Sequence, residues 1–121
     1  MKLFTTARER AICADRIDEM AKRFGYTTRR VSGVEASLPR CTTVFVETVN
    51  GLTAMVDLWP ADAVLIHWHG LKDPHKLARG FSGDVNPYHF HKATAFAYSA
   101  DGLIARLALD LTDIQTGKAF Q

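Results

Sequence analysis

The sequence is poor in cysteine. Cys13 and Cys41, two thiols in 121 residues, allow at most one disulfide and exclude a cysteine-stapled scaffold. Their spacing matches no cysteine metal-ligand pair, which excludes a thiolate zinc site. Long apolar runs are also missing. No segment approaches the roughly 20 residues that a membrane-crossing helix needs. The opening MKLFTTARERA is positively charged but has no apolar stretch of signal-peptide length. A cytoplasmic protein without membrane contact is therefore expected. Neither sign of charge dominates: 15 Lys and Arg stand against 13 Asp and Glu, a net +2. That balance argues against a nucleic-acid partner. There is no internal repeat, linker or low-complexity segment. The composition, 47% hydrophobic and 23% charged, is ordinary for a folded soluble domain. The length suits one compact domain, 1–121, around one core.

The first element is written most plainly. TTARERAICADRIDEMAKRFG predicts a helix from about Ala7 to Phe24. Thr6 is placed to cap it, with Glu9 at capping-box spacing. Cys13, Ile17, Met20, Ala21 and Phe24 recur on one face, with Ile12 at its edge. Lys22 and Arg23 suit the C-terminal end of the dipole. Asp18–Lys22 and Glu19–Arg23 are favourable i, i+4 pairs. Gly25 can take the left-handed cap position. The polar face carries both signs and reads as solvated, not as a basic binding stripe.

After Tyr26 the period changes. TTRRVSGVEASL predicts a strand or irregular edge segment over 28–37, interrupted by Pro39. TTVFVETV and LTAMVDLW flank Asn50-Gly51, the signature of a hairpin with a type I′ turn. Its strands run over about 42–49 and 52–59. A two-residue turn would pair Glu47 with Ala54 and Asp57 with Val44, placing the two carboxylates on opposite faces. AVLIHWH predicts a fourth strand over 63–69. DPHKLARG fits a short helix with Asp73 as cap, Pro74 in its first turn and Gly80 at its end. FSGDVNP reads as a loop.

YHFHKATAFAY predicts a long strand over 88–98. His89, His91, Ala93, Ala95 and Ala97 share one face; Tyr88, Phe90, Lys92, Thr94, Phe96 and Tyr98 share the other. The small alanines would let a helix approach closely. Residues 103–111 admit two readings. As a strand, Leu103, Ala105, Leu107, Leu109 and Leu111 face one way. As a helix, Leu103, Leu107, Leu111 and Ile114 stack, with Gly117 as the stop. Alanine and leucine favour the helix. Asp101-Gly102 after a strand favours a hairpin, and the strand is adopted. The expected architecture is α+β: an antiparallel sheet of five or six strands with the N-terminal helix packed on one face.

VLIHWHG and PYHFHK each carry two histidines around one aromatic residue. Residues two apart on a strand point the same way, so His67 and His69 share a face, as do His89 and His91. Were the two strands neighbours in register, up to four imidazoles would converge. Three ring nitrogens and a water suit catalytic zinc or another borderline transition metal, which would supply hydroxide near neutral pH. His75 is a further ligand candidate if its loop folds back. Asp57, Asp62, Asp73 and Asp84 are candidates to orient an imidazole. The competing reading makes these histidines amphipathic surface or interface residues beside Trp68 and Phe90.

HWHG and HFH resemble the histidine–hydrophobe–histidine element of rolling-circle replication and relaxase nucleases. That resemblance implies a divalent metal on a sheet, held by His67 and His69 or by His89 and His91, and a tyrosine nucleophile. Tyr88 and Tyr98 fall on the opposite strand face from His89 and His91, and no tyrosine–lysine helix motif is present. The pairs also resemble part of a cupin metal motif, which implies a glutamate shortly after the first pair. Gly70-Leu71-Lys72-Asp73 follows one pair and Lys92-Ala93-Thr94-Ala95 the other, and no glutamate follows Glu47. Neither family is assigned.

Other chemistry is thinly represented. Arg40 beside Cys41 is a setting in which positive charge could lower a thiol pKa. SGVEAS and GFSGD lack the pattern of a phosphate loop, and no serine has a nucleophile-elbow context. The aromatic-rich sheet, with Trp59, Trp68, Tyr88, Phe90, Phe96 and Tyr98, would expose too much apolar area under a single helix, and a homodimer would relieve this. We therefore expect a small homodimeric ligand-binding or interaction protein with a histidine-lined pocket or interface. A small molecule is the expected ligand class, and Trp68, His75, Tyr88 and Phe90 are candidates to contact it. The alternative is a transition-metal-dependent hydrolase or other metalloenzyme with His67, His69, His89 and His91 as ligands. Whether the chain is an enzyme is left open between the two.

Overall fold

The computed structural model describes residues 2–32, 40–48, 53–69 and 94–116. The elements are α1 (Ala7–Arg23), β1 (Thr27–Ser32), β2 (Thr42–Glu47), β3 (Thr53–Leu58), β4 (Val64–His69), β5 (Thr94–Ala97) and α2 (Ala100–Gln115). The strands form one antiparallel sheet in chain order, β1-β2-β3-β4-β5. Four six-residue strands make its body, and β5 adds four residues at the edge.

α1 begins where the sequence predicts. The Glu9 backbone N–H donates to Thr6 Oγ1 at 3.1 Å, and the Thr6 hydroxyl donates to the Glu9 carboxylate. Asp18–Lys22 and Glu19–Arg23 form ion pairs, and Gly25 takes the left-handed conformation at φ 81°. Cys13, Ala14, Ile17, Met20 and Ala21 are buried. Ile12, placed at the edge of the apolar face, is 51% exposed.

The expected architecture needs correction at the other end. Residues 103–111 are not a strand; they belong to α2, so two helices accompany the sheet, and the picture of five or six strands under one helix is overturned. The 3.6-residue period wins over the period of two. Leu103, Leu107, Leu111 and Ile114 are buried, whereas Ala105 and Leu109 face solvent. Ser99 opens the helix, its hydroxyl accepting the Gly102 N–H at 2.9 Å. The Ser99–Gly102 segment that read as a hairpin turn is a helix cap. Of the long strand over 88–98, the described part is β5; the rest, to residue 93, lies outside the described residues, as do the short helix over 73–80 and the FSGDVNP loop.

Both helices lie on one face of the sheet. α1 covers β1 and β2, α2 covers β5, and the two helices touch each other. Val44 and Val46 of β2, Ala54, Val56 and Leu58 of β3, and Val64, Ile66 and Trp68 of β4 point into this layer and are fully buried or nearly so. Arg16–Asp101 at 2.9 Å and Gln115 Nε2 to the Phe24 carbonyl at 2.8 Å tie the helices side by side, running in the same general direction. Leu3 and Ala61 form a two-hydrogen-bond bridge beside the sheet.

The β2–β3 register differs by one residue from the pairing that a two-residue Asn50-Gly51 turn imposes. Glu47 pairs with Thr53 and Asp57 with Thr43. A one-residue slip moves side chains to the other face, so Glu47 and Asp57 share a face instead of opposing each other. They remain four residues apart along the ladder, roughly 13 Å at about 3.3 Å per residue, too far to share a proton.

Candidate functional site

The helix-free face of the sheet carries His67 of the predicted histidine set. Alternation sends Phe45, Met55 and His67 to this side, opposite the core residues that flank each of them, and the β1–β2 register sets Arg29 on the same side as Phe45. The registers link them into one row across all five strands: Arg29–Phe45, Phe45–Met55, Met55–His67 and His67–Thr94. Phe45, Met55, Leu65 and His67 are half-buried. The Arg29 guanidinium sits 4.3 Å from the Phe45 ring centroid, a cation–π contact, and lies 4.0 Å from Glu47. Among the described residues, no helix or strand crosses this face.

His69 lies in β4, paired with Thr53. His75, Tyr88, His89, Phe90 and His91 lie outside the described residues. Trp68, a candidate for ligand contact, is fully buried on the helix side, and its indole N–H donates to Asp110 Oδ2 at 3.2 Å. Asp110 also stands 3.4 Å from Arg106 Nε, at ion-pair distance but without hydrogen-bond geometry, so among the described residues that buried N–H has no aligned acceptor. Trp59 is partly exposed and Tyr98 is 73% exposed. Among the described residues, no group of three or more His, Cys, Asp or Glu side chains is placed to hold a metal ion.

A second feature was not anticipated. A cavity of about 380 Å³ opens where the first turns of α1 meet β1 and the segment ahead of β2. Ala7, Arg10 and Ala11 of α1, Arg30 of β1, and Arg40 and Cys41 line it. Arg10 is only 8% exposed, and its Nη1 donates to the Phe4 carbonyl at 2.9 Å. Arg30 pairs with Asp15 at 2.9 Å. Among the described residues, neither Arg10 nor Arg40 has a carboxylate partner within ion-pair distance. Phe4 and Arg40 are the described non-glycine residues with positive φ, at 56° and 59°. One supplies the carbonyl that holds Arg10; the other lines the cavity.

Cys41 is buried beside these arginines, with Sγ 3.7 Å from Thr43 Oγ1 and 4.0 Å from Asp57 Oδ1. Thr43 donates in turn to Asp57 at 2.6 Å. Burial pushes the Cys41 thiol up; the Thr43 hydrogen bond and Arg10 pull the other way, and Asp57 adds to the rise. Desolvation thus outweighs the positive charge that the Arg40-Cys41 sequence advertised, and the thiol is a poor nucleophile at neutral pH. Cys13, buried under α1, is pushed up to about 11 by desolvation, with Arg16 opposing.

The neighbouring Arg40 and Cys41 were the one trace of this cavity legible in the chain. Arg10 gave no signal, because a single arginine on the apolar side of an amphipathic helix reads as a chance interruption. Comparison with protein-family models, curated proteins and solved structures finds no match to this chain.

Proposed function

We propose that this protein is a binding module that works as a homodimer, with the helix-free sheet face as its interface and His67 within that interface. The Arg29–Phe45–Met55–His67–Thr94 row supports the reading most directly. Both helices lie on the other side, so the row keeps half-buried apolar side chains with no described element over them. Six residues along each of β1 to β4, with the four-residue β5 at the edge, give a face of roughly 20 Å on a side. Its apolar part is Phe45, Met55 and Leu65, all half-buried.

A second copy suits this face because its charges are of both signs. Arg29 lies on β1, Glu47 on β2 and Asp57 on β3. In a two-fold arrangement the same patch meets itself, so a patch that carries charges of both signs can be its own complement. The core of the contact would be Phe45, Met55 and Leu65, and the polar residues would form its rim.

Sedimentation equilibrium of the full chain tests this. A dimer is expected for the unaltered protein at tens of micromolar, and a monomer of 13.5 kDa for Met55→Arg with an unchanged far-ultraviolet circular dichroism spectrum. A monomeric unaltered protein throughout that range would overturn the reading, as would a Met55→Arg dimer.

A further inference from the structure

We propose that the cavity formed by Arg10, Arg30 and Arg40 is a binding site for a phosphate group carried by a small molecule. It lies on the helix-covered side of the sheet: Arg30 pairs in register with Val44, whose side chain is in the core. Arg30 thus lies on the opposite side from the face assigned to the dimer, which the cavity borders only at Cys41, beside Thr43 and Asp57.

The argument starts from Arg10. Burying a guanidinium removes hydration that a single hydrogen bond to a backbone carbonyl does not replace. Buried arginines are ordinarily matched by a carboxylate. Here the nearest compensation is the Phe4 carbonyl, itself presented by a backbone in the left-handed region. Arg10 lines the cavity while only 8% of its surface is exposed. A nearly buried guanidinium, held by one carbonyl, without a carboxylate among the described residues and facing a cavity, marks a place where an anionic partner is accommodated.

Three further observations point to the same ligand. Arg30 and Arg40 line the same space, so three forked, planar donor groups surround it. Guanidiniums bind phosphate oxygens in paired hydrogen bonds, and several around one centre suit a tetrahedral dianion better than a single planar carboxylate. Asp15 on Arg30 and Asp57 near Cys41 offset part of this charge but leave the cavity electropositive. The first turn of α1, at Ala7, adds the positive end of a helix dipole.

The shape gives the rest of the ligand. A bare phosphate occupies far less than 380 Å³, whereas that volume falls within the range of about 300–1,000 Å³ for small-molecule sites. Ala7, Ala11 and Cys41 provide a low, apolar wall on which a short carbon skeleton can rest. Cys41 serves as wall and not as nucleophile, being buried and protonated at neutral pH.

The test is calorimetric titration of the full chain with glycerol phosphate, inorganic phosphate, succinate and glycerol. Glycerol phosphate is expected to bind with Kd tighter than about 1 mM, and at least several-fold more tightly than inorganic phosphate or succinate; glycerol should not bind. Arg40→Gln, an exposed position, should weaken glycerol phosphate about tenfold. Arg10→Met separates ligand binding from packing. It should abolish binding while leaving the melting temperature of the ligand-free protein unchanged or raised, because an apolar side chain replaces a poorly compensated buried charge. No binding of glycerol phosphate up to about 10 mM would overturn the proposal. So would binding that Arg40→Gln leaves unaltered, or an Arg10→Met protein that melts lower and still binds. Equal affinity for glycerol phosphate and inorganic phosphate would reject the small-molecule assignment.

Discussion

Asp110→Ala should destabilise the protein by about 2–4 kcal/mol, mostly through Trp68. The indole of Trp68 is fully buried between the sheet and α2, and its N–H reaches Asp110 Oδ2 at 3.2 Å. Removing the carboxylate takes a charged acceptor from a buried donor, at a cost of roughly 1.5–3 kcal/mol. It also removes the partner of Arg106, whose side chain is 39% exposed; that pair, poorly aligned and partly screened, is worth at most ~1 kcal/mol. Alanine is a good helix former, so α2 itself should not be weakened. The assay is urea unfolding followed by tryptophan fluorescence, with Trp68 buried and Trp59 partly exposed. A double-mutant cycle isolates the hydrogen bond. In a Trp68→Phe background, which has no N–H to satisfy, Asp110→Ala should cost only about 0–1 kcal/mol. An equal cost in both backgrounds would refute the reasoning, because Asp110 would then act without reference to the indole.

Three further outcomes are expected. Leu107→Ala, at a fully buried position where α2 meets the core, should cost about 2–5 kcal/mol in the same denaturation assay; a loss below about 1 kcal/mol would mean that α2 is not packed there. The thiols give a pH test. Neither cysteine should react with a disulfide reagent at about pH 8 in the folded protein, and both should react once it is unfolded. The Cys13 thiol has its folded pKa raised from 9.0 to about 11, so its protonated form is favoured in the folded state. The stability it permits is complete below about pH 9 and declines towards pH 11, by on the order of 2 kcal/mol. Cys13→Ala should lack that part of the alkaline decline, and parallel pH profiles for the two proteins would contradict the burial argument.

The parts of the fold that were legible in the chain are those where local chemistry and long-range packing agree. α1 has a threonine cap, a 3.6-residue apolar stripe and a terminal glycine, and each signal points to the same element. β2 to β4 read as strands because β-branched and aromatic residues alternate there. The failures have specific causes. Ser99-Ala100-Asp101-Gly102 suits either a hairpin turn or a helix start, since serine and aspartate serve both. Every second residue from Leu103 to Leu111 is apolar, which imitates a strand, and only the exposure of Ala105 and Leu109 separates the two periods. The Asn50-Gly51 signature predicted a register one residue away from the observed ladder, and with it the wrong face for Glu47 relative to Asp57.

The candidate sites divide along the same line. Alternation within one strand is a local property, and in β4 it sets His67 on the face opposite Ile66 and Trp68. The meeting of four imidazoles depends on residues 75 and 88–91, outside the described residues, and so on information that alternation alone does not carry. The arginine cavity joins positions 10, 30 and 40, drawn from three separate segments. No spacing rule connects them; they meet only because α1 folds back over β1 and β2.

Strand order that copies chain order has a consequence for synthesis on the ribosome. Each new strand emerges with its hydrogen-bonding neighbour already outside, so the sheet can grow one hairpin at a time without waiting for distant partners. The cover does not arrive on that schedule. α1 is made first and can shield β1 and β2, but Val64, Ile66 and Trp68 await α2, which is translated after every strand they belong beside. For that interval the nascent chain carries a formed but half-roofed sheet, and the indole of Trp68 lacks the aspartate that will hold it. The vulnerable moment in this protein's biogenesis is the stretch of translation between His69 and Ile114, when a chaperone has the most to hide.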